Sequence, residues 1–446
     1  MSDNIKGIPY STAEFDKEGT LLKEPAVPQG TTDLIMVSHG WNNDREAAEL
    51  LYRKLFGNFA DVTAGDAAVK ARRIAIVGII WPSKKFDDFM TEPASASGAA
   101  GGAAAAGGNV NTTASHAAMH EAIDRAAPLF ETADAAGRIA ALHKLVPELD
   151  GDSGKQQEFV ETLRKLVEPD GMIAGEHSRN DGSENFFEDS AAVIFERAAK
   201  EPVAHPPPGG EVAPKGEGHA AGMLGDLFSG ATRAVQSLLN LTTYYEMKKR
   251  AGTVGKNGVA PLIDKLAETL DKDTGRIHLV GHSFGGRLVT AAATESTTGR
   301  LYSLSLLQAA FSHNGFSQSF NGFFRPMIEK QRVKGPILVT HTKNDTAVGR
   351  AYPIASRISG SNAESLGDAD DEFGGIGSNG AQRMKDGEIA AATAELLAVN
   401  GSYVWQPGKF HNLESSKFIV NPDGGDAHGF IHVPQVAWAI SRVIVS

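Results

Sequence analysis

At 446 residues, with 41% hydrophobic and 22% charged residues, the chain has the composition of a globular protein with a large core. Its net charge of -11, without any Lys/Arg cluster interleaved with aromatics, argues against nucleic acid as the main partner. The absence of cysteine excludes disulfides, thiolate metal sites and a cysteine nucleophile.

The segment Met1 to Gly7 lacks a basic stretch followed by an apolar core, so no secretory signal is visible. No apolar run approaches the ~20 residues needed to span a bilayer. A cytoplasmic location is expected. Tyr10 to Phe15, the turn Lys17-Glu18-Gly19 and Leu21-Leu22 read as a hairpin at a sheet edge. Asp33 to Ser38 is a strand, followed by His39-Gly40-Trp41-Asn42-Asn43-Asp44 and a helical pattern over Arg45 to Phe56. Asn42, Asn43 and Asp44 are candidate caps for that helix. Arg73 to Trp81 is a continuous apolar run, the pattern of a central parallel strand.

Ser95 to Gly108 is almost wholly Ala and Gly and reads as a linker. From about residue 113 to 200 the pattern is helical, with Phe159, Val160, Leu163, Leu166 and Val167 on one stripe. A second Pro/Gly-rich linker spans Glu201 to Gly222, and Leu224 to Lys249 is helical again. Ala260 to Leu270 forms a helix leading into the strand Arg276 to Val280. Further strands are expected at Leu301 to Leu307, Pro336 to Thr340 and Lys417 to Val420. A final helix starts at Pro434, with Val433, Val436, Ala437, Ile440 and Ile444 as its buried stripe. The alternation predicts a doubly wound, mostly parallel α/β sheet. Residues 1–82 and 251–446 form its core, and 83–250 an inserted helical cap with flexible linkers near 95–110 and 202–222.

Gly281-His282-Ser283-Phe284-Gly285 falls between the strand Arg276 to Val280 and an Ala-rich helical stretch. A G-x-S-x-G in that position presents a serine hydroxyl on a sharp turn at the sheet's C-terminal edge. An active Ser283 needs a histidine to remove its proton, and the histidine a carboxylate to fix its tautomer. Asp345, directly after a strand, is the candidate acid, with Asp423 and Asp426 as rivals. His428 is the candidate base, ahead of His432 and His411, because it lies between the last expected strand and the last helix. An oxyanion needs two backbone N–H donors. Phe284 supplies one; the other is Trp41, with Gly40 as the alternative. His282 reads as structural. The run Asp368 to Glu372 lacks calcium-loop spacing and reads as solvated loop.

Strand–His-Gly-Trp, strand–Gly-His-Ser-Phe-Gly–helix, strand–Asp345 and strand–loop–His428–helix together resemble the α/β-hydrolase superfamily over residues 31–82 and 255–446. The resemblance implies acyl-group hydrolysis through a serine–acid–histidine triad, with no cofactor or metal. A small-molecule or lipid ester is the implied substrate. Two alternatives stand beside a carboxylesterase. One is a lipase or phospholipase at a membrane surface, its lid built from Leu227, Phe228, Leu238, Leu239, Leu241, Tyr244 and Tyr245. The other is a catalytically silent binding module on the same fold.

Overall fold

Alternation along buried strands divides the apolar residues between two faces of one sheet. In the strand Asp33–Ser38, Leu34 and Met36 join one hydrophobic cluster while Ile35 and Val37 join the other. The computed structural model describes residues 3–41, 43–83, 112–130, 133–167, 183–200, 230–349, 374–391 and 394–446. Among these, nine strands form a single sheet: β1 (Asp3–Ile5), β2 (Ile8–Phe15), β3 (Leu21–Lys23), β4 (Asp33–Ser38), β5 (Ile74–Ile80), β6 (Arg276–His282), β7 (Leu301–Leu307), β8 (Ile337–His341) and β9 (Phe410–Glu414). Their order is β1-β2-β5-β4-β6-β7-β8-β9, with β3 paired to β2. From β2 to β9 along this order neighbours are parallel; β1 and β3 pair antiparallel with β2. The N-terminal hairpin is β2 with β3, and β2 runs on into the parallel sheet beside β5.

Helix Arg45–Val62 carries the chain from β4 to β5 on one face. Helix Phe284–Glu295 carries it from β6 to β7 on the other. Strand order therefore reverses between β4 and β6, and crossovers on opposite faces leave a crevice at their C-terminal ends. Register fixes what meets there. Ser38 pairs with Gly281, so His39-Gly40 continues beside His282-Ser283.

Asp44 caps the helix Arg45–Val62 by accepting from Ala47 N at 2.8 Å, the role expected of one of the three candidates. Asn43 instead braces the preceding turn, donating to Trp41 O at 2.9 Å. Asn42 lies outside the described residues. The last helix, Pro434–Ile444, buries Val436, Ala437, Ile440 and Ile444 against that same helix, and Val433 packs there partly buried. Full burial of each larger aliphatic side chain contributes roughly 1.5–3 kcal/mol.

One strand expectation is overturned. Lys417 to Val420 forms a turn, and the last strand is Phe410–Glu414. Pairing with β8 selects that segment: Ile337 to His341 align with Phe410 to Glu414. An edge strand needs no continuous apolar run, so Phe410-His411-Asn412-Leu413-Glu414 suffices.

Between β5 and β6 the described residues are helical, including Thr112–Ala126, Ala135–Leu145, Ser153–Val167, Ala191–Lys200 and Gly230–Thr253. The stripe Phe159, Val160, Leu163, Leu166 and Val167 is buried as its spacing predicts. These helices share one continuous hydrophobic cluster with the sheet face that carries Phe284–Glu295. Helix Gly230–Thr253 continues through a π-helical turn, Val254–Val259, into Ala260–Ala267, so residue 250 falls inside an unbroken helical run. Gly255 permits that run to lie on helix Phe284–Glu295, because a Cβ there would overlap the carbonyl of Leu288. The two linkers, Leu227, Phe228 and the run 368–372 lie outside the described residues. No helix among the described residues is long and apolar enough to cross a membrane.

Candidate active site

Ser283 ends β6 and begins the helix Phe284–Glu295, at φ 55° and ψ −126°. That region is sparsely populated for residues with a Cβ, and it turns the chain sharply from strand to helix. Neighbouring backbone holds the turn: Ser283 N donates to Leu307 O at 3.2 Å, and its carbonyl accepts from Gly286 N and Ala310 N. Packing at the turn leaves no room for side chains. A Cβ on Gly285 would overlap the carbonyls of Ser38 and His39, and one on Gly281 would overlap Gly285.

Asp345 follows β8, and its carboxylate accepts from Val348 N at 2.9 Å, closing its own turn. The other carboxylate oxygen lies 2.8 Å from His428 Nδ1. Asp345 is 1% exposed and His428 9%. Burial opposes charging of His428, but the Asp345 carboxylate, its hydrogen bond and the nearby Asp426 outweigh this and raise the imidazole pKa above its ordinary value. With Nδ1 engaged by Asp345, Nε2 is the ring nitrogen left for a serine proton. In this resting structure no hydrogen bond joins Ser283 Oγ to His428, or either Oγ or Nε2 to another described group.

The rivals have other positions. Asp426 accepts from Thr346 N at 2.8 Å, Thr346 Oγ1 at 2.9 Å and Ala347 N at 3.1 Å, tying the loop of His428 to the turn of Asp345. Asp423 is exposed on the tip of that loop. His411 lies within β9 and accepts from Gln406 N through Nε2 at 3.1 Å. The carbonyl of His432 accepts from Asn58 Nδ2, which places this residue against helix Arg45–Val62.

The loop after β4 closes over the serine. A Cβ on Gly40 would come within 2.6 Å of Ser283 Cβ and 3.1 Å of Ser283 Oγ, so only glycine fits. The N–H groups of Trp41 and Phe284 donate to no acceptor among the described residues. They are the pair expected for an oxyanion. His39 holds this loop in place: its ring stacks on Trp81 at 5.6 Å, and Trp81 Nε1 donates to His39 O at 3.1 Å. Complete burial pushes the His39 pKa down to about 4 against its hydrogen bond to Gly40 O, so the ring is neutral at pH 7.

Sequence reasoning gave His282 no part in the site and did not mark Gln308. The His282 ring lies 4.7 Å from that of His428, and its Nε2 donates to His428 O at 2.9 Å. Gln308, at φ 44°, donates through Nε2 to Ala427 O at 3.1 Å and His428 O at 3.2 Å. No local pattern announces contacts across more than a hundred residues of chain.

The insertion reaches the site through aromatic rings. Phe284 lies 6.2 Å from Trp41 and 5.3 Å from Tyr244 of helix Gly230–Thr253. Leu238, Leu239, Leu241, Tyr244 and Tyr245 are all buried here. A cleft of about 410 Å³, lined by Lys6, Lys70, Arg72 and Arg73 over Phe59 and Ile74, opens at the N-terminal ends of the strands. It is remote from Ser283. Among the described residues no group of three or more His, Asp or Glu is arranged to hold a metal ion. No protein-family model, curated protein or solved structure matches the chain.

Proposed function

We propose that this protein is a serine hydrolase of carboxylic acyl esters, built on an α/β-hydrolase-type fold. The observation that carries this reading is the convergence at one crevice of a strained strand-to-helix serine and a buried Asp345–His428 pair. Ser283 Oγ attacks the acyl carbon as His428 Nε2 takes its proton, and Asp345 stabilises the imidazolium that forms. The oxyanion is held by the N–H groups of Phe284 and Trp41. His428 returns the proton to the leaving alcohol, leaving an acyl-enzyme, and then activates a water that releases the acid. The resting gap between Ser283 and His428 closes with substrate bound, as catalytic hydrogen bonds often tighten only in the complex. Helices of 83–250 cap the acyl pocket, with Tyr244 of helix Gly230–Thr253 packed against Phe284.

A fluorophosphonate probe tests the assignment. Wild type becomes labelled at Ser283 and hydrolyses p-nitrophenyl esters, while Ser283→Ala does neither. Labelling of a different serine, or none in folded wild type, overturns it.

A further inference from the structure

The loop carrying His428 has an open tip. Pro422 to Gly425 are exposed, and Gly424 and Gly425 sit at φ 82° and 88°. Two sets of hydrogen bonds anchor it. In the first, Ala427 N donates to Asn344 O at 2.9 Å, and the Asp426 carboxylate grips Thr346 and Ala347. Every partner in that set belongs to the acid's own turn, so it makes Asp345 and His428 one body. It says nothing of where that body stands relative to Ser283.

The second set makes that connection. Gln308 is the first residue after β7 and His282 the last of β6, immediately before Ser283. Both are buried, at 0% and 6% exposure. Their three N–H···O bonds, of 2.9 to 3.2 Å, converge on the carbonyls of Ala427 and His428. Since Ser283 Oγ and His428 are not hydrogen-bonded at rest, these bonds join the base to the nucleophile's strand and its neighbour. Gln308 keeps a left-handed backbone that costs a non-glycine residue energy, and its side chain spans to the other loop from there.

We propose that Gln308 and His282 are positioning residues that fix the imidazole of His428 against Ser283 by clamping its backbone carbonyl. The proposal rests on the reading of His428 as base. Displacement of a catalytic group by about 1 Å costs on the order of 10² in rate. Removing the clamp therefore lowers kcat while leaving KM and the acid–base pair intact.

The test measures ester kcat and KM, the fluorophosphonate labelling rate and the pH profile. Gln308→Met keeps the bulk and removes the donors, and His282→Leu does the same at the other position. Each lowers kcat and labelling by about 10² with KM little changed. The acid-limb midpoint stays at the wild-type value because Asp345 still holds Nδ1. His282→Gln, which restores an N–H donor, recovers most of the rate. Should Gln308→Met fail to fold, Gln308→Gly, favoured by the positive φ, is read in its place. Undiminished labelling in the Gln308 variant, or equal loss in His282→Leu and His282→Gln, overturns the clamp. Absence of Ser283 labelling in wild type instead removes the hydrolase reading itself.

Discussion

At Ser283 the backbone is held at φ 55°, in a region that costs a residue with a Cβ roughly 1–3 kcal/mol. Ser283→Ala keeps that strain and is expected to lower kcat by about 10⁶, because the three side chains act as one unit. Ser283→Gly is expected to be equally inactive yet more stable by about 1 kcal/mol in urea unfolding, since glycine accepts the conformation. A less stable glycine variant would show that the turn is not strained. His428 gives a pH signature. Its pKa is raised, with the Asp345 and Asp426 charges outweighing burial, and the base must be neutral to act. Activity is therefore full above the raised pKa and lost as pH falls through it. Asp345→Asn removes the nearer charge, so the midpoint of kcat/KM moves to lower pH and kcat drops by about 10⁴. An unmoved midpoint would remove Asp345 from its place beside Nδ1.

Among the elements, helix Gly230–Thr253 packs on the helix that follows Ser283. Its Leu238, Leu239 and Tyr245 are at most 3% exposed, so in this state the stripe packs the core and is not presented to a membrane. Tyr244 rests on Phe284, next to Ser283. A long-chain phosphonate attached to Ser283 is expected to slow amide exchange within residues 230–250, and identical exchange with and without it would end the cap reading. How far such elements were legible follows from what specified them. Asp33–Ser38 and Leu301–Leu307 lie where the sequence places them, because strands covered on both faces must be apolar runs. Pro434 announces the last helix by its fixed φ. Val254–Val259 falls between the two expected helices, yet its Gly255 and Gly258 serve close packing within a continuous helical run. Lys417 to Val420 has strand-like residues but no partner strand among the described residues, whereas Phe410–Glu414 has β8. The strained turn at Ser283 and the pairing of Asp345 with His428 were legible from their places after strands. The His282 and Gln308 contacts were not, because they depend on which strand ends become neighbours.

For the whole molecule, buried histidines set the acid limit of stability. His39 is completely buried, which pushes its pKa down to about 4. Burial also lowers that of His278, despite the opposing hydrogen bond and charge of Asp33 at 3.1 Å, and lowers that of His282, with His428 adding to the effect. A histidine with a depressed folded pKa binds fewer protons in the native state than in the unfolded chain. Its stability contribution is thus complete above an unfolded value near 6.5 and is lost as pH falls toward the folded value. For His39 alone this amounts to about 3 kcal/mol between pH 6.5 and 4. Asp33 acts in the same direction at lower pH. Burial raises its pKa, but the hydrogen bond and charge of His278 prevail and lower it, so its contribution disappears as the carboxylate is protonated. His428 acts in the opposite sense and at higher pH: its raised pKa adds stability as pH falls through that value toward 6.5, where the gain is complete. Below 6.5 only the losses remain, and a loss of several kcal/mol is a large share of the roughly 5–15 kcal/mol that holds a domain together. The urea midpoint is expected to rise slightly as pH falls toward 6.5 and to fall steadily below it. Activity is expected to be lost first and reversibly, because it depends on the raised pKa of His428. Unfolding at lower pH then follows the buried neutral rings. A urea midpoint unchanged down to pH 5 would mean that those rings are not held neutral in the folded protein.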